Sequence, residues 1–161
     1  MLFNTPSSEK KYRPNVAIIV LAPTYPFDCK VLVAQRSDIK GAWQFPQGGI
    51  DDGETPRDAL FRELKEEIGT NKVEIIAEYP QWLSYDFPEH ARKKMAPYWG
   101  QSQKYFLARL KGDAKIDINT KKPEFNDYKF INVNELMSVV THFKKEVYSK
   151  VIKHFKEKGY L

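Results

Sequence analysis

Residues 48–70 read GGIDDGETPRDALFRELKEEIGT, and this stretch decides how the rest of the chain is read. Thr55 followed by Pro56 marks a helix start. A threonine oxygen satisfies an orphan N–H there, and proline suits the first helical position. Asp58 complements the positive helix end. Leu60, Leu64 and Ile68 recur at helical spacing, and Gly69 supplies the stop. Glu63, Glu66 and Glu67 then fall at i, i+3 and i+4 and share one helix face. Three like charges there repel unless a cation compensates them, and all-oxygen ligands suit a hard divalent ion such as Mg²⁺. A Glu-rich helix face is ordinarily only a solvated surface. The joint spacing of Gly48, Glu54, Arg62, Glu63, Glu66, Glu67 and Gly69 outweighs that reading, because a chance match somewhere in the chain is on the order of one in a million.

Outside this stretch the 161 residues suit one domain, expected over residues 1–161 with an ordered core from 12 to 158. A 42% hydrophobic, 14% aromatic composition excludes a disordered chain. The +5 formal charge permits an anionic partner without demanding one. Cys29 is the lone cysteine, which excludes an internal disulfide and a four-cysteine zinc site. The apolar run at 16–22 is too short to span a bilayer, and the N-terminus lacks the order of a signal peptide, so no membrane partner is expected and a cytoplasmic location is.

Residues 16–22 and 29–35 read as strands that pair with each other, and 37–53 as a long irregular Gly-containing connection of the kind that often carries function. Residues 73–79, 81–85, 104–110 and 128–133 read as further strands, and 134–140 as a short helical stretch. Residues 143–158 form a better helix, with Phe143, Val147, Val151 and Phe155 on its apolar face. The pattern is mixed α/β. Asp51-Asp52-Gly53 lacks the remaining ligands of a calcium loop, and Gly48-Gly49 is not followed by the Gly-Lys-Ser/Thr of a P-loop. The three histidines, 90, 142 and 154, are scattered and receive no catalytic role.

The stretch from Gly48 to Thr70 resembles the Nudix box: a Gly, a Glu six residues later, then Arg-Glu-apolar-x-Glu-Glu-x-Gly-apolar. One position departs, since Thr70 replaces the usual aliphatic packing residue. Further segments resemble the bacterial RNA pyrophosphohydrolase branch, also known as dinucleoside polyphosphate hydrolases. These are Tyr12-Arg13-Pro14-Asn15-Val16, the run from Trp43 to Gly49, Tyr85-Asp86-Phe87-Pro88, Gly100-Gln101-Ser102-Gln103-Lys104, Pro123-Glu124-Phe125 and Phe143-Lys144-Lys145-Glu146-Val147-Tyr148. Ala17 stands where that branch often has Gly.

The resemblance implies a Nudix α/β/α sandwich on a mixed sheet, with the box forming a loop–helix–loop. It implies hydrolysis of a nucleoside diphosphate linkage, and for this branch conversion of 5′-triphosphate RNA ends to 5′-monophosphates, a step that promotes mRNA decay. Carried over residue by residue, Glu63, Glu66, Glu67, Glu124 and the Gln47 carbonyl would hold Mg²⁺, with Mn²⁺ or another divalent cation as substitute. Glu66 or Glu63 would take the proton of the attacking water, and Arg62 would orient the carboxylates. Arg13 would meet the phosphate chain. Arg36 and Phe143 would sandwich the second base beside Lys144, and Tyr85, Gln101, Gln103 and Lys104 would line the site. Each has a plainer reading: Arg13 and Lys104 as surface charges, Phe143 and Tyr85 as core, Glu124 as a loop acid. The implied partners are an RNA 5′ end and nucleotide polyphosphates, with no protein partner legible. The competing functions are a hydrolase acting mainly on dinucleoside polyphosphates, a nucleotide-pool hydrolase, and a non-catalytic RNA-binding module.

Overall fold

The computed structural model describes residues 10–140 and 142–161, with the side chains of His142 and Phe143 outside that description. Among the described residues eight strands and three helices follow in the order β1 (Tyr12–Leu21), β2 (Lys30–Arg36), β3 (Trp43–Gln44), β4 (Gln47–Gly49), α1 (Pro56–Ile68), β5 (Val73–Glu78), β6 (Leu83–Asp86), α2 (Glu89–Met95), β7 (Gly100–Leu110), β8 (Phe125–Asn132) and α3 (His142–Glu157). A 3-10 helix over Val133–Ser138 leads into α3.

The run of β-branched residues in β1 is buried on both faces, as befits the central strand of a sheet covered on each side. Its alternation sorts the core into two layers. Val16, Ile18 and Val20 pack with Leu60, Leu64 and Ile68 of α1. Ala17, Ile19 and Leu21 pack with Tyr148, Val151 and Phe155 of α3. The result is an α/β/α sandwich. The sheet is mixed: β1 runs parallel to β7 from Tyr12↔Gly100 to Leu21↔Arg109, and every other named pair is antiparallel.

The expected pairing of β1 with β2 exists but is confined to the Leu21↔Val31 end. The first half of that edge of β1 belongs to β4, through Asn15↔Gly49 and Ala17↔Gln47. Residues 37–53 are therefore not wholly irregular. They contain β3 and β4, strands of two and three residues that offer too few positions for an alternating pattern to register. The buried stripe of α3 runs through Lys144, Tyr148, Val151 and Phe155, turned one position from the expected Val147, which is only half-buried. Tyr148 draws it round: its hydroxyl accepts from the Phe45 N–H at 3.1 Å and its ring lies 4.4 Å from that of Phe45. Among the described residues no helix is long and apolar enough to cross a membrane.

Candidate active site

Helix α1 begins and ends where its capping residues direct. Thr55 Oγ1 accepts from the Asp58 N–H at 3.1 Å, Pro56 opens the helix, and Gly69 closes it at φ 75°. With Leu60, Leu64 and Ile68 fixed in the core, the helical repeat carries Glu63 and Glu67 to the buried edge of the stripe and leaves Glu66 exposed.

Arg62 organises these acids. It grips Glu54 with two bonds of 2.8 Å and reaches the Gly49 carbonyl at 2.8 Å, Glu63 at 2.9 Å and Glu66 at 3.2 Å. The Arg62 fork and the Asp51 N–H hold the Glu54 carboxyl down at about 2. These bonds hold the carboxylates of Glu54, Glu63 and Glu66 through a planar five-donor group that a lysine could not replace. Gly48 and Gly49 let the site close. A Cβ on Gly48 would overlap the Glu63 carboxylate, and one on Gly49 would overlap the Arg13 guanidinium. Neither glycine has a positive φ, so close approach is the reason for both.

Burial pushes the Glu63 carboxyl up, against the pull of Arg62. Glu67 is pushed well above the usual carboxylate range, first by burial and then by the charges of Glu63 and Glu124. Its described hydrogen bond is from the Gln47 N–H, at 3.2 Å. Among the described residues no three Asp, Glu, His or Cys side chains converge to enclose an ion, Glu63 and Glu66 being drawn to Arg62 instead. The chemistry of the donors nonetheless fits a hard divalent cation: Glu63, Glu66, Glu67 and Glu124 are all-oxygen ligands on one cleft, and two of them are disfavoured as anions until a positive charge offsets them.

The cleft has a volume of about 720 Å³. Its floor is a strip of adjacent strands, β4-β1-β7-β6, on which Arg13 neighbours Gln101 and Gln101 neighbours Tyr85. The structure brings together Arg13, Arg36, Gln47, Glu63, Glu66, Glu67, Tyr85, Gln101, Glu124 and Lys144 along this one cleft. Arg36 is held by Asp38 through two in-plane bonds of 2.9 and 2.7 Å. Lys144 is buried, donates to Gln44 Oε1 at 2.7 Å, and has its ammonium brought down to about 7 by that burial and by the charge of Arg36. Burial raises the Tyr85 phenol to about 12.

Two of the expected lining residues lie elsewhere. Gln103 is under the floor: Tyr105 Oη donates to its Oε1 at 2.7 Å, and its Nε2 donates to Asn15 Oδ1 at 2.9 Å and Gln47 Oε1 at 2.8 Å. Lys104, one position on, is turned the other way and donates to the Tyr79 carbonyl at 2.7 Å, with Glu78 at 3.5 Å. The backbone of Phe143 lies in the first turn of α3, and its side chain lies outside the described residues. Sequence reasoning missed one whole wall. Helix α2 contributes His90, Ala91, Lys94 and Met95, on a segment whose only pattern was a cluster of basic residues.

Residues 11–155 match the NUDIX domain family. An RNA pyrophosphohydrolase of Campylobacter jejuni is 65% identical over 96% of this chain and 99% of its own length. One from Nitratiruptor is 61% identical and one from Helicobacter pylori 56%, each over 94% of this chain and 98% of the relative. In fold, the chain is similar to a dihydroneopterin triphosphate pyrophosphohydrolase of E. coli (TM-score 0.69, 21% identity, 88% of this chain and 97% of that one). It is also similar to an Ap4A hydrolase of C. elegans (TM-score 0.64, 18% identity, 89% and 98%). A match to the family model over residues 11–155, nine tenths of the sequence, together with relatives 56–65% identical over nearly their full length, means that this chain belongs to the NUDIX family.

Proposed function

We propose that the protein is an RNA 5′-pyrophosphohydrolase, converting 5′-triphosphate ends to 5′-monophosphates by a Mg²⁺-dependent reaction in which Mn²⁺ can substitute. The observation that carries this is the 65% identity, over nearly the full length of both chains, to an RNA pyrophosphohydrolase. The cleft supports it, because acids suited to a metal and basic and aromatic groups suited to a phosphate chain and a base line the same cleft. The likeness to an Ap4A hydrolase is one of fold and gives no weight to the dinucleoside polyphosphate reading. Such compounds remain candidate second substrates because they share the phosphate chain. A non-catalytic RNA-binding module is disfavoured, since clustered acids facing an anionic ligand only weaken binding. The work belongs in the cytoplasm, where such RNA ends are made.

Glu63, Glu66, Glu67 and Glu124, with the Gln47 carbonyl, would hold the divalent cation, which supplies charge neutralisation and an acidified water when bound. Arg13, over Gly49 beside those carboxylates, binds the phosphate chain and screens its charge. Arg62 keeps Glu63 and Glu66 in place without touching substrate. Glu66 is the exposed acid of the set, and it or Glu63 takes the proton of the attacking water. Arg36 and Phe143 flank the second base, with Lys144 beside them, while Tyr85 and Gln101 close the floor. Side-by-side turnover of 5′-triphosphate RNA and a dinucleoside tetraphosphate at equal concentration, with and without Mg²⁺, tests the proposal. Faster metal-dependent conversion of RNA to a 5′-monophosphate end, with release of pyrophosphate or phosphate, is expected, and preference for the dinucleotide would overturn it.

A further inference from the structure

Among the described residues two arginines and two lysines line the cleft, and they differ in what they already hold. The in-plane donors of Arg36 are taken by Asp38. Lys144 is bonded to Gln44. Arg13 lies over Gly49 at the carboxylate end, where Glu63 feels its charge. Lys94, from α2, has no hydrogen bond or ion pair among the described residues, yet it lines the same cleft. Asp38, the residue that holds Arg36, lines that cleft with it, and the Lys94 charge is a minor influence on the Asp38 carboxyl. Among the described residues, Arg13 beside the carboxylates and Lys94 on α2 are the cleft cations without a hydrogen bond or ion pair.

The segment that carries Lys94 is pinned to the sheet. Asp86 pairs with Gly100 at the neck of the β6–β7 hairpin, and the Phe87 N–H donates to the Trp99 carbonyl at 2.9 Å. Arg92 then ties the helix down, donating to the Phe87 carbonyl at 3.1 Å with its guanidinium 4.2 Å from the Trp99 ring centre. With Arg92 committed to that anchor, Lys94 is left toward the cleft. An isolated surface lysine is ordinarily solvated and silent. One on a tethered wall of a cleft that also binds a polyphosphate is placed to meet a second anionic group.

A nucleoside triphosphate has no such group beyond its own phosphate chain. A dinucleoside polyphosphate carries a second base without a phosphodiester. Single-stranded RNA alone among these has an internucleotide phosphate between its first and second nucleosides. We propose that Lys94 on α2 forms a subsite for the first internucleotide phosphate of the RNA, adjacent to the second-base position at Arg36, and so selects RNA over other substrates of the same chemistry. The inference rests on the RNA reading above.

The test crosses a protein change with a substrate change. Lys94→Ala is assayed on a short 5′-triphosphate RNA, on the same RNA with an uncharged methylphosphonate at the first linkage, and on a nucleoside triphosphate. On unmodified RNA KM should rise about five-fold, the size of one exposed charge contact, with kcat little changed. The salt dependence of binding should fall by about 0.7 in slope, one phosphate contact on a single strand. The methylphosphonate should cost the wild type the same factor and cost the variant nothing further. Lys94→Arg should restore the RNA KM. If Lys94→Ala loses equally on charged and uncharged linkages, or loses nothing on RNA that the wild type turns over, this inference fails alone. If the wild type does not turn over triphosphate RNA, the RNA reading fails and this one with it.

Discussion

Gly48→Ala separates the placement of one carboxylate from the stability of the fold. The backbone at Gly48 is one any residue can adopt, so the new methyl introduces no dihedral strain. It lands on the Glu63 carboxyl, which must move. That movement breaks the 2.9 Å bond from Arg62, a charge-assisted bond of about 1.5–3 kcal/mol when buried, and nearer the lower figure here because Arg62 is partly exposed. Replacing glycine by alanine at a compatible backbone returns roughly 0.4–1 kcal/mol through the unfolded chain. The net loss is about 1 kcal/mol, or a Tm lower by about 2–4 °C for a protein of this size. Turnover should suffer far more, because a misplacement of about 1 Å in a reacting constellation can cost on the order of 100-fold. Thermal denaturation and steady-state hydrolysis of triphosphate RNA measure the two effects. Gly112→Ala is the control, since nothing lies within 4 Å of the added carbon. Wild-type turnover in Gly48→Ala would show that the Glu63 position against this glycine does not matter for catalysis. A fall in Tm beyond about 10 °C would make Gly48 a folding residue.

Glu67→Gln should keep the fold and abolish turnover. Because the folded carboxyl of Glu67 is raised above its unfolded value, its contribution to stability is greatest below the ordinary carboxylate range and is lost as pH rises through the folded value. Without divalent cation, the Tm of the variant should therefore gain on wild type from acid to neutral pH, and a difference flat in pH would contradict the burial argument. Glu124→Ala should lower kcat or metal affinity with little change in Tm, because the residue is exposed and its main-chain carbonyl still accepts from the Ser37 N–H. A loss of stability alone would make it an ordinary loop acid. Phe143→Ala should weaken action on RNA of two or more nucleotides by roughly ten-fold, about 1.4 kcal/mol of stacking, and act much less on a nucleoside triphosphate. Equal losses on both substrates would point to packing.

The carboxylate helix was legible because each of its boundaries is written in side chains: Thr55 and Pro56 at the start, Gly69 at the end, and a leucine-isoleucine stripe between. The central strand was legible because its burial on both faces leaves a continuous apolar run. What could not be read lacked periodicity or depended on parity. Strands β3 and β4 are too short to alternate, and α2 has no apolar stripe. Gln103 and Lys104 are neighbours on β7 and so point to opposite faces, which a likeness in sequence does not reveal without the register Asn15↔Gln103. The pairing of Asp38 with Arg36 is local in sequence, but only the cleft gives it a use.

The buried amide of Gln103 has a direction. Its oxygen accepts a hydrogen bond from the Tyr105 hydroxyl, and its NH₂ group donates to the oxygens of Asn15 and Gln47. Each of those amides must therefore turn its oxygen toward Gln103, and the Gln47 side chain also bonds the Tyr85 phenol. The polarity of the cleft floor is in this way dictated from below, by a phenol in the wholly buried interior that no ligand reaches. The orientation of Gln47, and through it of Tyr85 on the cleft, is thus set before any ligand arrives.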